Sequence, residues 1–326
     1  MASIKDVAKK AGVGVGTVSR AINDSGYVSL DARKKIEQAM NELDYTPNEL
    51  ARNLFRKKSG IVAVLVPTVA HPFFAEFVNY VEIELHEKGY KTMICNTVKE
   101  KNYESEYLHM LKRHVVDGVI TGVHSLNLHE YLEVDMPIVA LDRYIGEKIP
   151  VVAVDHKKGG RIAAKELISL GCRSVIQFQG AKQVESPAQE RHTAFEQMMH
   201  ENDIKVYSVE LDWNKFDFSY FEKATKQGFE EHPDADGVFG TDLLVLGYLK
   251  AATLGGRRVP EDIKMVAYDG TQIMQIVNPC ITIIKQPIWK LAEESARLIV
   301  NRINGKEYIN KKIELEVEII KGYQNC

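Results

Sequence analysis

The chain has 326 residues, 45% hydrophobic and 27% charged, with a net charge of −3, an ordinary water-soluble composition for two or three folding units that excludes collagen-like and low-complexity classes. Its apolar runs, such as 61–66, fall far short of the roughly 18 residues that cross a bilayer, and its charged start lacks the apolar core of a secretory leader, so a cytoplasmic protein with no membrane partner is expected. Charge is unevenly divided: residues 1–60 hold 11 Lys and Arg against 7 Asp and Glu, a basic head on an acidic body, as in nucleic-acid-binding modules joined to something else.

Three short helices are predicted in the head. Ser3 can cap the first, Asp6 suits its positive end, and Ile4, Val7, Ala8 and Ala11 form one apolar face before Gly12 ends it. The second runs from about Val15 to Asn23, with Val18 and Ile22 four apart, and Gly26 breaks it. Ser29 caps the third, whose apolar face is Ala32, Ile36, Ala39, Met40 and Leu43. Tight glycine-containing turns between short helices suit a helix-turn-helix, although any small bundle has amphipathic helices. In the helix-turn-helix reading Val15, Gly16 and Arg20 lie on the outward face of the second helix. Arg20 could be bidentate to a guanine, while Thr17 and Ser19 suit phosphates, which position without specifying. Gly12-Val-Gly-Val-Gly16 is no dinucleotide turn, because a polar helix and not a strand precedes it.

Residues 47–60 read as a hinge. Pro47 can start about two helical turns over 48–55, a length marginal in water, and Arg56-Lys-Lys-Ser-Gly60 is a basic end. A plain linker is the alternative.

From residue 61 onwards short apolar runs alternate with helix-length stretches. Strands are predicted at 61–66, 91–96, 118–121, 138–141, 151–154, 175–179, 237–240, 263–268 and 281–285, and helices at 73–88, 103–114, 157–170, 189–202, 218–231, 243–254 and 288–304. The alternation argues for parallel sheets covered by helices, and the strand count for two lobes facing each other. Ligands of such sheets bind beyond the carboxyl ends of the strands. Pro67, Asp142-Arg143, Asp155, Thr241-Asp242 and Asp269-Gly270 stand there; acids, an arginine and nearby aromatics suit a polyhydroxylated ligand. The four cysteines are scattered and read as small buried hydrophobes or surface thiols, and the histidines lack a metal-binding spacing. Without a Walker loop, a Gly-x-Ser-x-Gly elbow or a nucleophile–base pair, neither an enzyme nor a cofactor is expected, and no metal.

The run Ile4-Lys-Asp-Val-Ala-Lys-Lys-Ala-Gly-Val-Gly-Val-Gly-Thr-Val-Ser-Arg-Ala-Ile-Asn23 closely resembles the signature of the LacI/GalR family of repressors, and Tyr27-Val-Ser29 and Asp44-Tyr-Thr-Pro-Asn-Glu-Leu-Ala-Arg-Asn-Leu54 continue the likeness. The resemblance implies a helix-turn-helix head (1–46), a hinge (47–60) and a two-lobed, periplasmic-binding-protein-like α/β core of parallel sheets (61–326). The first lobe would hold about 61–156 plus 288–320 and the second about 157–287. It implies DNA contacts from Ser3, Val15, Gly16, Thr17, Ser19, Arg20, Asn23, Ser29, Arg52 and Asn53, with Leu54 wedged into the minor groove. Where the family has Ser, this chain has Gly14, which predicts weaker DNA binding.

In the core the overlay implies effector contacts from Phe73 and Phe74 of His71-Pro-Phe-Phe74, Asp142 and Arg143, Arg191, Trp213, Asp242, Asp269 and Gln286. Thr241 and Ala267 depart from the family's Asn and Gly. Gly89-Tyr-Lys-Thr-Met-Ile-Cys-Asn96, Ser186-Pro187, Arg191-His192 and Tyr268-Asp-Gly-Thr271 most resemble sucrose-operon repressors of Gram-positive bacteria. The implied partners are a near-palindromic double-stranded operator, a second copy of the chain, and a sugar or sugar phosphate; a phosphate would favour Arg191 and Arg143 as charge partners. A homodimer is expected because no long heptad segment follows Gly322. The alternatives are a catabolite-control regulator with a phosphorylated carrier protein as corepressor, and a non-regulatory sugar-binding protein.

Overall fold

The structure is a computed structural model that describes residues 2–46, 58–98, 103–123, 129–132, 136–184, 186–306 and 312–322. It divides into two compact units, Met1–Ser59 and Gly60–Cys326. The first holds α1 (Ile4–Ala11), α2 (Val15–Asn23) and α3 (Leu30–Glu42). Its core is Val7, Ala8, Ala11, Val18, Ala21, Ile36 and Ala39. Most of these side chains are small, so the three helices can approach closely. Ser3 and Asp6 form a reciprocal capping box, and Gly12 at φ 66° ends α1.

The second unit contains two six-stranded sheets. In the first, β1 (Ile61–Val66), β2 (Lys91–Asn96), β3 (Gly118–Thr121), β4 (Ile138–Leu141), β5 (Val151–Val154) and β11 (Lys312–Leu315) lie in the order β11-β5-β4-β3-β1-β2. All pairs in it are parallel. In the other, β6 (Ser174–Gln179), β7 (Lys205–Glu210), β8 (Gly237–Thr241), β9 (Lys264–Asp269), β10 (Thr282–Lys285) and β12 (Glu318–Ile320) follow the order β12-β10-β9-β8-β6-β7. There β12 alone is antiparallel, against β10. The chain therefore passes between sheets three times: after β5, after β10 and between β11 and β12.

Helices α4 (Pro72–Glu87), α5 (Glu104–Lys112), α6 (His129–Leu132) and α11 (Ile288–Ile303) belong with the first sheet. With the second go α7 (His156–Ser169), α8 (Gln189–His200), α9 (Phe218–Glu231) and α10 (Asp242–Leu254). One apolar cluster runs beneath α4, α7, α8 and α11 through both lobes, from Val62 and Phe77 to Phe195 and Phe239. Separate clusters fill the other face of each sheet.

Three strands lie outside the sequence expectation: β7, β11 and β12. The assignment of 288–320 to the first lobe also needs correction, because β12 completes the second sheet. Cys95 and Cys172 are buried free thiols, as a hydrophobic role requires, whereas Cys280 is disulfide-bonded. The hinge residues Arg52, Asn53 and Leu54 lie outside the described residues. No helix among the described residues is long and apolar enough to cross a membrane.

Two glycines of α7 leave no room for a side chain. A Cβ on Gly160 would lie 2.1 Å from the carbonyl oxygen of Arg191, and one on Gly159 would lie 2.6 Å from the Tyr268 hydroxyl. The first obstacle is backbone and cannot swing aside. Gly160→Ala should therefore destabilise the core by about 1–3 kcal/mol, the usual cost of overpacking. Urea unfolding should show a lower midpoint with an unchanged slope; an unchanged midpoint would mean that the helices are free to separate.

Candidate functional site

The head presents α2 by its start. Gly14 is the N-cap and offers no side-chain hydrogen bond. Val15 is 42% exposed, and Gly16 and Arg20 are exposed as well. Arg20 folds along its own helix, donating from Nε to the Gly16 carbonyl (3.3 Å) and from Nη2 to Thr17 Oγ1 (3.3 Å). Asn23 Nδ2 donates to Ser19 Oγ at 3.3 Å. Arg33 from α3 donates to the Ala21 carbonyl and to Asp24, which fixes the far end of α2. Ser3 and Ser29 are helix caps, accepting from the amides of Asp6 and Ala32. Their hydroxyls thus already serve the chain, and their helix starts remain favourable to phosphate.

In the second unit a cavity of about 200 Å³ opens at the carboxyl ends of both sheets. Gly122 follows β3, Asp142 follows β4, Gly180 follows β6, Asp269 ends β9 and Gln286 follows β10. Seven of the expected effector residues line it: Phe73, Phe74, Asp142, Arg191, Trp213, Asp269 and Gln286. Phe74 meets Phe73 edge to face at 5.4 Å and Phe216 at 6.0 Å, giving an apolar wall for sugar C–H faces. Asp142 has φ 49° and Asp269 φ 110°. Two non-glycine residues at positive φ on opposing strand ends are costly backbone, of the kind that clusters in ligand sites.

Asp269 is buried and accepts from Gln286 Nε2 at 2.8 Å. Burial, and then the nearby Asp242 carboxylate, push it well above the usual carboxylate range, against the pull of Arg191. The Arg191 guanidinium lies 4.6 Å over the Tyr268 ring.

Arg143 and Asp242 are corrections, because neither lines the cavity. Arg143 turns into its own lobe, donating from Nη1 to Glu104 (2.8 Å) and to the Val123 carbonyl (2.7 Å), with Tyr131 under its guanidinium. Tyr131 also donates to Glu104. Asp242 accepts from the amides of Gly270 and Thr271 and from the Thr271 hydroxyl, fixing the turn after Asp269. Burial raises its pKa to about 6 despite those bonds.

Other lining residues were not singled out from sequence: His71, His192, Ser186, Asn214 and Phe216 among them. His71, Ser186 and His192 sit inside the motifs already noted but were given no role there. Asn214 and Phe216 follow β7, an unpredicted strand, in the segment where the resemblance had supplied only Trp213. Four lining atoms are buried without a hydrogen-bond partner: His71 Nδ1, His192 Nδ1, Asn214 Oδ1 and Gln286 Oε1. Unmade buried hydrogen bonds each cost about 1–3 kcal/mol, so these four lining residues carry hydrogen-bonding capacity that the described protein atoms leave unused.

Residues 3–48 match the family described as bacterial regulatory proteins, lacI family, and residues 59–321 match periplasmic binding proteins and sugar binding domain of LacI family. The chain belongs to the LacI family. It is therefore a DNA-binding transcriptional regulator and not an enzyme. LacI-family repressors bind operator DNA and sugar effectors and act as dimers. The chain is 37% identical over 331 residues to the ribose operon repressor of Halalkalibacterium halodurans, covering 100% of this chain and 99% of the relative. It is 35% identical to the sucrose operon repressor of Lactococcus lactis over 99% of both. The crystal structure of the lac repressor dimer bound to operator and the anti-inducer ONPF matches with a TM-score of 0.84 and 26% identity over 98% of each chain.

Protonation adds a measurable property to this LacI-family cavity. Burial lowers the His71 pKa to about 4. The unfolded chain binds a proton there near pH 6.5 that the folded chain refuses, so this contribution is complete above pH 6.5 and lost as pH falls towards 4. A shift of that size is worth about 3 kcal/mol. Asp242, raised, runs oppositely: its contribution is complete below pH 3.8 and lost as pH rises through about 6. The difference between the protein and His71→Asn isolates the histidine. In urea unfolding that difference should shift by about 3 kcal/mol against the unsubstituted protein between pH 7 and pH 4. A difference that does not move with pH would place the His71 ring in water.

Proposed function

We propose that this chain is a cytoplasmic repressor of a sugar-utilisation operon, released from a near-palindromic operator by an unphosphorylated sugar of about one ring, with ribose the leading compound. The observation that carries the reading is the cavity's polar inventory. Four unpartnered buried atoms suit hydroxyl groups that both donate and accept. The charged lining is Asp142, Asp212 and Asp269 against Arg191 and Lys215. With Asp269 pushed towards its neutral form the lining is close to balanced in charge and offers no excess of cations to a phosphate dianion, and Arg143 is engaged by Glu104. At about 200 Å³ the space is below the roughly 300–1,000 Å³ of sites for drug-sized ligands. That favours one sugar ring over the two of sucrose, and the 37% identity to a ribose operon repressor points the same way.

The effector contacts in this reading are Phe73, Phe74, Asp142, Arg191, Trp213, Asp269 and Gln286, joined by His71 and His192. The DNA contacts are Ser3, Val15, Gly16, Thr17, Ser19, Arg20, Asn23 and Ser29 from the head, with Arg52, Asn53 and Leu54 beyond the described residues. Sugar that draws the lobes together lowers operator affinity by linkage, typically about 5- to 150-fold.

Calorimetric titration with ribose, sucrose and their phosphates tests the ligand. Ribose should bind tightest, and Asp269→Asn and Arg191→Ala should each weaken it by tenfold or more (about 1.4 kcal/mol). A preference for a phosphorylated sugar or for sucrose would overturn this part. On the DNA side, Arg20→Ala should cost about 1–3 kcal/mol of operator preference over random duplex while sparing sugar binding. Gel shifts that retain full preference would remove α2 from the groove.

A further inference from the structure

His156 does not line the cavity, yet it touches Asp142, which does, and Tyr268, over which the cavity's Arg191 lies. It is the first residue of α7, at the first passage from one sheet to the other, and is 1% exposed. Its Nε2 lies 2.9 Å from Asp142 Oδ1, on the first lobe. Its Nδ1 lies 3.0 Å from the Tyr268 hydroxyl, on β9 of the second. The His156 and Tyr268 rings stack at 5.8 Å with 23° between their planes. That tyrosine ring also lies under the Arg191 guanidinium and meets Phe239 edge to face at 6.1 Å.

The donors can be assigned from this arrangement. A carboxylate only accepts, so Nε2 carries the proton and donates to Asp142. The Nδ1 of that tautomer is a bare acceptor and takes the Tyr268 O–H. Tyr268 is wholly buried and its pKa is raised by that burial, so it keeps its proton to give. Gly159 supplies the space, since a Cβ there would collide with the tyrosine hydroxyl.

We propose that His156 is a positioning residue for the sugar site: it orients the Asp142 carboxylate directly and the Arg191 guanidinium through Tyr268, so that one imidazole sets the spacing of ligand groups carried by different lobes. The proposal rests on the sugar-binding reading above. Asp142 stands on costly backbone, at φ 49°, and an unheld carboxylate there could turn away from the cavity. Tyr268 without its acceptor would keep a buried hydroxyl unsatisfied and loosen the platform beneath Arg191.

The test compares His156→Phe, His156→Gln and Tyr268→Phe with the unsubstituted full chain, using ribose titration and histidine ring ¹⁵N resonances. His156→Phe keeps a ring and removes both bonds; ribose affinity should fall roughly 10- to 100-fold. His156→Gln can donate to Asp142 and accept from Tyr268, and should recover most of that loss. Tyr268→Phe keeps the platform for Arg191 but removes its hydroxyl, and should fall between the two. The ring resonances should report the Nε2–H tautomer at His156. Unchanged ribose affinity in His156→Phe overturns the proposal. So does His156→Gln as weak as His156→Phe, which would leave only ring packing. Should His156→Phe fail to fold, the other two substitutions decide. If the unsubstituted chain binds no sugar while His156 keeps its Nε2–H tautomer, the sugar reading fails and the hydrogen-bonded chain stands.

Discussion

The carbonyl oxygen of Arg191 occupies the space that a side chain on residue 160 would need. That backbone contact sets how near α8 comes to α7, and so where the Arg191 side chain stands. Nothing larger than a hydrogen atom fits there. With α8 held there, the guanidinium reaches the Tyr268 ring, and Tyr268 in turn reaches the first turn of α7. A glycine pair with no chemistry of its own therefore fixes the arginine that lines the cavity.

The site is a buried, partly neutral environment. His71 and His192 are kept uncharged by burial, and Asp269 is pushed towards its neutral form by burial and by Asp242. Asp242 and Glu104 serve their own lobes instead, one bracing the turn after β9 and the other engaging Arg143. A buried ion pair such as Glu104–Arg143 adds little net stability, but losing one partner leaves a stranded charge that costs about 3–5 kcal/mol. The effect of both acids is to hold loops in place around a cavity whose own walls are left partly unsatisfied.

Much of this was legible in the residues. Central strands such as β1, β3, β4 and β5 are short apolar runs buried on both faces, and they read plainly. The missed strands are edges or late additions. Lys205-Val-Tyr-Ser-Val-Glu210 holds only exposed and half-buried positions, and β11 and β12 are short and carry Lys or Glu at their starts. An edge strand has only one neighbour and needs no continuous apolar run. The rule that ligands sit past strand ends found Asp142 and Asp269. It could not say which way each side chain turns: adjacent residues Asp142 and Arg143 face opposite environments, one the cavity and the other Glu104. Nor could it see that Asp242, the first residue of α10, is drawn towards two amides across the turn. In the head, cap residues and apolar spacing gave all three helices, because capping boxes are local in sequence.

The three passages between the sheets have a mechanical consequence. A body hung from one thread can swing and twist in any direction, whereas three threads set side by side leave it a single easy rocking axis. Twisting would have to stretch one passage while slackening another. Whatever grips both walls of the cleft is thereby converted into one rotation, with little effort lost to sideways motion.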